Sequence, residues 1–210
     1  MGELCVDELD GLHAVAEAIR DEVECHTHTI QAALDRHPAY SETEHIAGEM
    51  VRSLVLHGAR RCGALVGLPP ASTFGGWDLV WCDEDVYRRY RVKKATRSEE
   101  TGEFEMLMGA NSNLLKPAID ADSLIREEQW VLGYTVTPLR TIDEVFVAEI
   151  LGSTASRVGH LLLGPHVSLG PTSSRDGGRF LSDAEDQLPG FDDDSLVGRG
   201  MLPGLLGVNS

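Results

Sequence analysis

The sequence predicts an α+β protein in which an N-terminal helical hairpin packs on a C-terminal, mostly antiparallel β-sheet, followed by a disordered acidic tail. Apolar residues recur at helical spacing between residues 9 and 55. Between residues 77 and 169, short segments alternate apolar and polar residues, as strands with one buried face do. Strands and helices do not alternate along the chain, which disfavours a doubly wound nucleotide-binding fold.

We expect three regions. Residues 1–64 form the helical hairpin, residues 73–169 form the antiparallel β-rich domain, and residues 170–210 form a flexible acidic tail. The chain has 210 residues, of which 42% are hydrophobic, so it can bury a core. The tail is rich in Gly, Ser, Pro and Asp and has few core-forming residues, which favours disorder.

The first helix is predicted to run from Leu9 to the residues before Pro38. Its apolar positions are separated alternately by three and four residues, which forms a heptad-like seam. We predict partner contacts along this seam at Leu9, Leu12, Ile19, Val23 and Ile30. Two interpretations are equally compatible with it. The seam packs within its own chain, or it associates with a partner, including a second copy in a homo-oligomer.

A capping box at Ser41–Glu44 predicts the start of the second helix. That helix is predicted to end near Gly58 or Gly63, because glycine readily adopts the left-handed conformation that closes a helix. Residues 65–76 are rich in Pro and Gly and are predicted to be a linker between the helices and the strands.

The basic strand at residues 87–93 is predicted to pair with the segment at residues 103–108. An antiparallel register places Lys93 opposite Glu103 and Arg91 opposite Glu105. A shift of one residue would set an apolar side chain against a glutamate, so the pattern favours this register.

The net charge of −16 disfavours broad binding to a nucleic-acid backbone and suits docking on a basic protein partner. No apolar run approaches the roughly 20 residues of a membrane span, and the N-terminus lacks the features of a signal peptide. We therefore expect a cytoplasmic protein without a membrane contact. The four cysteines are widely spaced and no secretion signal is present, so we expect reduced thiols. The usual zinc-ligand spacings and phosphate-binding glycine loops are absent, so we expect no metal site and no cofactor, apart from the Mg²⁺ that a nuclease would need.

One short stretch of the sequence resembles a catalytic motif. Asp78 on a short strand, followed by Arg-Val-Lys at residues 91–93, resembles the catalytic hairpin of restriction-type nucleases of the PD-(D/E)XK group. The resemblance implies a Mg²⁺-dependent nuclease in which Asp78 binds the metal and Lys93 assists the attacking water. Arg91 stands where the group has its second acidic residue, and a guanidinium cannot ligate Mg²⁺. Glu103 or Glu105 would have to supply that carboxylate.

Three functional hypotheses follow, and the first is preferred. It is a non-enzymatic protein-interaction or regulatory module: an adaptor, an antitoxin- or immunity-like partner, or a subunit of a defence or regulatory assembly. The absence of common catalytic motifs, the seam and the acidic surface support it. In the tail, Phe191, Leu202 and Leu205 are predicted as further partner contacts.

The second hypothesis is the Mg²⁺-dependent nuclease. The third is binding of nucleic acid or a small anion, without cleavage, along a basic ladder. That ladder consists of Arg89, Arg91 and Lys93, which lie on one face of an extended strand.

Overall fold

The computed structural model describes residues 4–42, 44–73, 76–108, 115, 117, 124–154 and 159–170. Within them, an N-terminal pair of long helices precedes a mostly antiparallel sheet, so the predicted α+β class is confirmed. The predictions made for residues 171–210, including the partner contacts at Phe191, Leu202 and Leu205, lie outside the described residues.

Two long helices, α1 (Val6–Leu34) and α3 (Glu44–Gly63), form the predicted hairpin, and the single-turn helix α2 (Pro38–Ser41) connects them. Pro38 suits the first turn of α2 but could not continue α1, because it lacks an N–H and restricts the residue before it. The long helices approach closely at Gly58, where a Cβ atom would lie 2.8 Å from a backbone oxygen of α1. No helix within the described ranges is both long and apolar enough to cross a membrane.

The apolar seam of α1 lies in the core of its own chain. Leu12, Ile19 and Val23 are 0% exposed. Ile30 is 2% exposed, and Leu9 is partly buried against the same core. This placement corrects the prediction of an association surface along the seam, because these side chains are occupied by α3 and the sheet. The repeat could not distinguish the two interpretations, since a seam has the same spacing whichever element covers it.

The strands of the described residues form two sheets. They are β1 (Pro70–Thr73), β2 (Gly76–Cys82), β3 (Val86–Lys94), β4 (Thr96–Arg97), β5 (Phe104–Glu105), β6 (Leu107–Met108), β7 (Arg126–Val136), β8 (Ile142–Ser153) and β9 (Gly159–Ser168). The large sheet has the order β1-β2-β3-β7-β8-β9-β6, and β4 and β5 form a separate ribbon. Neighbours in the large sheet run antiparallel except β3 and β7, which run parallel and therefore need a crossover connection.

The predicted linker at residues 65–76 contains β1, an edge strand of the described sheet. Pro70 begins it, and proline is tolerated at the first residue of an edge strand. Pro70 lies opposite Leu79, and Ala71 lies opposite Asp78. The linker prediction is therefore wrong for this strand, because the Pro-rich composition marks a sheet edge there.

Each face of the sheet carries an apolar cluster. The helix-facing cluster joins α1 and α3 to aromatic and aliphatic residues of the sheet, among them Tyr90, Trp130, Leu132 and Val147. On the opposite face, a smaller cluster surrounds Phe146, whose ring stacks on Phe104 with centroids 3.8 Å apart. The larger core thus lies between the hairpin and the sheet.

The hairpin predicted between the basic strand and the segment after it does not form. β3 is an interior strand flanked by β2 and β7, so Arg91 lies opposite Asp78 and its predicted pairing with Glu105 is wrong. The predicted pairing of Lys93 with Glu103 is also wrong, because Glu103 precedes the ribbon strand β5.

Charge complementarity could not identify the true partners of β3. Acidic residues occur on both flanking strands: Asp78 on β2, and Glu127 and Glu128 on β7. Each satisfies the rule that opposite charges stabilise neighbouring strands. Residues 103–108 are the acidic segment nearest to β3 in sequence, but they are one of several acidic candidates. The connection between them is too long to form a tight hairpin turn, so turn geometry does not favour this pairing over the others.

A buried network of charges, which we call the Arg88 network, joins α1 to the sheet. Arg88 is 6% exposed; its Nη1 lies 2.5 Å from Glu8 Oε2 and its Nε lies 2.6 Å from Glu128 Oε2. The hydroxyl of Tyr90 donates to Glu8 Oε1 at 2.5 Å, and Trp130 Nε1 donates to Glu128 Oε2 at 3.3 Å. Removing Arg88 would leave the buried carboxylate of Glu8 uncompensated, and such a loss typically costs about 3–5 kcal/mol.

The network shifts the pKa values of its members. Burial alone would raise the pKa of Glu128, but the hydrogen bond and the charge of Arg88 lower it by more. The hydrogen bond from Trp130 and the charge of Arg126 lower it further. The pKa of Glu128 therefore lies below its ordinary value of 4.5. Burial and the hydrogen bond to Glu8 raise the pKa of the Tyr90 hydroxyl, which stays protonated as a donor.

Replacing Ile19 with alanine should lower the free energy of unfolding by about 2–5 kcal/mol, because it leaves a cavity in the core. Urea unfolding of the full chain measures this loss. The control is Glu24→Ala on the exposed side of α1, which should change stability by no more than about 0.5 kcal/mol. An unchanged unfolding midpoint together with an altered oligomeric state would instead support the association surface.

Replacing Glu128 with glutamine should lower the free energy of unfolding by about 1.5–3 kcal/mol near neutral pH, because Arg88 loses one charged partner but keeps its ion pair with Glu8. Since the folded-state pKa of Glu128 lies below its unfolded-state value, its ionised form contributes fully above about pH 4.5. That contribution is lost as the pH falls through the folded-state pKa.

The stability gap between the wild type and Glu128→Gln should therefore narrow below about pH 4.5. Urea unfolding at a series of pH values measures the gap, with Glu24→Gln on the exposed side of α1 as the control. A gap that is independent of pH would contradict the role of the ionised carboxylate.

Candidate functional site

The predicted basic ladder of β3 contacts carboxylates of the sheet itself. Arg91 donates hydrogen bonds from Nε and Nη2 to the two carboxylate oxygens of Asp78. Arg89 is 2% exposed and lies 3.6 Å from Asp78 and 3.5 Å from Glu127. Lys93, the third residue predicted to bind an anion, is half-buried. Unlike Arg89 and Arg91, it has no carboxylate contact among the described residues.

Lys93 adjoins other positive charges. Its pKa lies below the ordinary value of 10.5, because burial and the charges of Arg91 and Arg52 disfavour the ammonium. An approaching anion would stabilise that ammonium. The basic ladder nevertheless offers an anion one principal cation, Lys93, instead of the three predicted. Arg89 and Arg91 are both engaged with Asp78.

The residues of the nuclease hypothesis lie in different sheets. Asp78 is 1% exposed, and two arginines hold its carboxylate. Lys93 is in the large sheet, whereas Glu105 is in the ribbon and Glu103 just precedes it. A magnesium ion would have to displace guanidinium groups from Asp78. Within the part of the chain that the structure describes, no three His, Cys, Asp or Glu residues are placed to hold a metal ion.

A cleft of about 250 Å³ opens where the helical hairpin meets the sheet. The C-terminal end of α1, α2 and the first half of α3 form one wall. The ends of β3 and β7 and the turn after β7 form the other wall. We call this feature the helix–sheet cleft.

The floor of the helix–sheet cleft is apolar and has unfilled space. Leu34 and Val51 are 2% exposed, and Ala47 is 7% exposed. Beside them on α3, a Cβ atom added to Gly48 would meet no heavy atom within 4 Å. Glycine inside a helix costs roughly 0.5–1 kcal/mol relative to alanine. Gly48 therefore leaves open space beside the lining of the cleft, in a helix where alanine would be more favourable.

The rim of the helix–sheet cleft carries two cations and one acid: Lys94, Arg140 and Glu44. Lys94 and Glu44 are exposed, and Arg140 is half-buried. The Nη1 of Arg140 donates to Gln31 Oε1 at 2.6 Å. Because a guanidinium has five N–H donors, this bond leaves Arg140 able to donate to a ligand as well. The rim is therefore positive by one charge.

Two tyrosines complete the helix–sheet cleft. Tyr40 of α2 is 46% exposed at its mouth. Tyr134 of β7 is 2% exposed, and burial raises its pKa to about 12. Its hydroxyl is therefore neutral at physiological pH and can both donate and accept a hydrogen bond.

Arg140 has an unusual backbone conformation. Its φ is +64°, and among the described residues no other non-glycine residue has a positive φ. This region costs an L-residue roughly 1–2 kcal/mol, which glycine avoids. Hydrogen bonds hold the turn: Thr137 N–H donates to Thr141 O, and Arg140 N–H donates to Thr137 O, each at 2.9 Å. These bonds form a three-residue hairpin loop between β7 and β8, in which a type I turn is followed by a residue in the left-handed region.

Sequence reasoning does not find the helix–sheet cleft. Lys94 falls in the predicted loop after the basic strand, Arg140 falls in a turn, and Gly48 lies in the middle of a predicted helix. No spacing in the sequence links the three elements. One local feature of the sequence points to this turn. An arginine closely follows Pro138, at a position where glycine or asparagine commonly adopts the positive φ.

A second groove, of about 470 Å³, lies between the ribbon and β9. Residues 101–104 line one side of it, and residues 161–166 line the other. Phe104 and His166 meet edge to face there, with ring centroids 5.0 Å apart. The described lining includes Glu103 but neither Lys nor Arg, so it offers fewer charged contacts to a ligand than the helix–sheet cleft.

The fold and the cleft together define an α+β protein with an open cleft between the helical hairpin and the sheet. No protein-family model matches the chain, and no curated protein or solved structure is significantly similar to it. Its function must therefore be inferred from the chemistry of the site, since a fold alone does not specify an activity.

Replacing Arg140 with glycine or with alanine should separate backbone strain from side-chain contacts. Both variants lose the hydrogen bond to Gln31, but only glycine adopts the positive φ without strain. We expect Arg140→Gly to be more stable than Arg140→Ala by about 1 kcal/mol. Thermal unfolding of the two variants measures the difference. Equal stabilities would contradict a strained conformation at this position.

Proposed function

We propose that the protein is a non-enzymatic interaction or regulatory module. This class includes adaptors, antitoxin- or immunity-like partners, and subunits of defence or regulatory assemblies. In this proposal the helix–sheet cleft holds a segment of a protein partner. The supporting observation is the cleft itself, which combines an apolar floor, unfilled space beside Gly48 and two cations on its rim.

The charge distribution favours an acidic segment as the occupant. The chain carries a net charge of −16, yet the rim of the cleft is positive by one charge because Lys94 and Arg140 outnumber Glu44. A basic partner, the kind that net charge alone suggests, could be attracted to many acidic parts of the surface. An acidic segment is attracted at the cleft and repelled elsewhere, which gives specificity.

The other two hypotheses have less support from the site. The nuclease would need Mg²⁺ to replace two arginines at Asp78, which is 1% exposed. Anion binding along β3 would rely mainly on Lys93, since Arg89 and Arg91 are engaged with Asp78. The interaction module requires neither rearrangement and no cofactor.

The test uses Gly48→Leu, which places a side chain in the unfilled space of the cleft. The added Cβ meets nothing within 4 Å, and leucine favours a helix more than glycine does, so the variant should remain folded. The control is Ser53→Leu, which adds the same side chain at an exposed position of the same helix. Circular dichroism and thermal unfolding establish that both variants are folded.

The full chain and both variants, each with an affinity tag, are used to capture proteins from an extract of the source cells. We expect a protein that the wild type and Ser53→Leu retain and that Gly48→Leu retains at least about tenfold less. Calorimetry with that purified protein should show the same order of affinities. Equal retention by all three would place the contact outside the cleft, and no retained protein would count against the module.

A further inference from the structure

We propose that the group bound in the helix–sheet cleft is the C-terminal residue of the partner. Its aliphatic side chain lies on the apolar floor, and Lys94 and Arg140 bind its free α-carboxylate. This inference rests on the proposed function and adds to it the chemistry of the ligand.

The size of the cleft limits what enters it. Its volume of about 250 Å³ is below the roughly 300–1,000 Å³ of pockets that enclose drug-sized ligands. A helix, about 10 Å across with its side chains, does not fit such a space. A chain end fits more easily than an internal segment, because an internal segment must both enter and leave the cleft.

The apolar floor selects the side chain of the ligand. Leu34, Ala47 and Val51 make the deepest part of the lining aliphatic, although each is at most 7% exposed, and the open position beside Gly48 provides room for an aliphatic group. A charged or amide side chain would lose its hydration there without gaining a hydrogen-bond partner from these residues. A leucine or similar residue is therefore favoured.

The rim selects the charge of the ligand. Lys94 and Arg140 donate hydrogen bonds and cannot accept them, so they favour an acceptor that carries negative charge. A carboxylate has two acceptor oxygens and can receive a bidentate contact from a guanidinium. At this left-handed position of the hairpin loop, glycine would relieve the strain but would supply no guanidinium.

A terminal α-carboxylate fits this combination better than the side chain of Asp or Glu. The terminal carboxylate is attached to the same Cα atom as the side chain, so both groups enter one small cleft together. In an extended internal segment, neighbouring side chains point to opposite faces, which separates an acidic residue from an adjacent aliphatic one. Capture of a C-terminal carboxylate is also a recurring mode of peptide recognition.

The test is an NMR titration of the full-length protein with three short peptides. The first is N-acetyl-Gly-Gly-Leu with a free carboxylate, and the second is its C-terminal amide. The third, N-acetyl-Leu-Asp-Gly amide, carries its negative charge on a side chain. We expect the free acid to shift resonances of Gly48, Val51 and Arg140, and to bind at least about tenfold more tightly than either amide.

Two variants test the assignment of residues. Arg140→Gly should reduce the preference for the free acid over its amide to about twofold or less, because a main carboxylate contact is lost. Gly48→Leu should weaken binding of both the acid and the amide, and Ser53→Leu should bind like the wild type. Equal binding of the acid and the amide by the wild-type protein, or shifts confined to residues outside the cleft, would overturn the proposal.

The two proposals can fail separately. A protein partner whose capture depends on Gly48, but which binds equally well after its C-terminal residues are removed, would leave the interaction module intact and overturn the C-terminal ligand. Tight binding of the free-acid peptide without any captured protein would support the ligand chemistry and count against a protein-interaction role.

Discussion

The ion pairs of Arg88 with Glu8 and Glu128 fix the position of α1 on the sheet. All three side chains are more than nine-tenths buried, so each charge depends on the others for compensation. Sliding α1 by one turn would move Glu8 about 5.4 Å along the helix axis and away from Arg88. The apolar seam alone tolerates such a slide, because its spacing repeats. The Arg88 network therefore provides the specificity that the seam lacks.

The same helix has a second polar contact near its C-terminal end. Arg140 Nη1 donates to Gln31 Oε1 at 2.6 Å, and Gln31 lies about 35 Å along the helix from Glu8 at 1.5 Å per residue. Contacts near both ends hold α1 against the sheet. The helix–sheet cleft lies beside the C-terminal contact, so its walls are positioned before any ligand arrives. A preformed site lowers the ordering cost of binding.

The sequence allows the elements of this fold to be predicted more reliably than their partners. The period of 3.6 places both long helices, and alternation places β3 and β7, because burial of one face determines both patterns. The pairing of Arg91 is different, since Asp78 and Glu105 satisfy the same charge rule and the parallel contact of β3 with β7 depends on a distant segment. The cleft is hardest to predict, because Gly48, Lys94 and Arg140 come from three elements that meet only in the folded chain.

The basic residues of this acidic chain have two different roles, and the difference decides which of them can meet a ligand. Arg88 and Arg89 are buried against carboxylates, and releasing Arg88 to an external anion would leave the buried carboxylate of Glu8 uncompensated. Lys94 and Arg140 are at least partly exposed, so a ligand can reach them without breaking an internal ion pair of that kind. A negative ligand is repelled by most of the acidic surface and attracted where these two cations lie. In the proposed function, the net negative charge that disfavours general nucleic-acid binding would also make the helix–sheet cleft selective for a negative ligand.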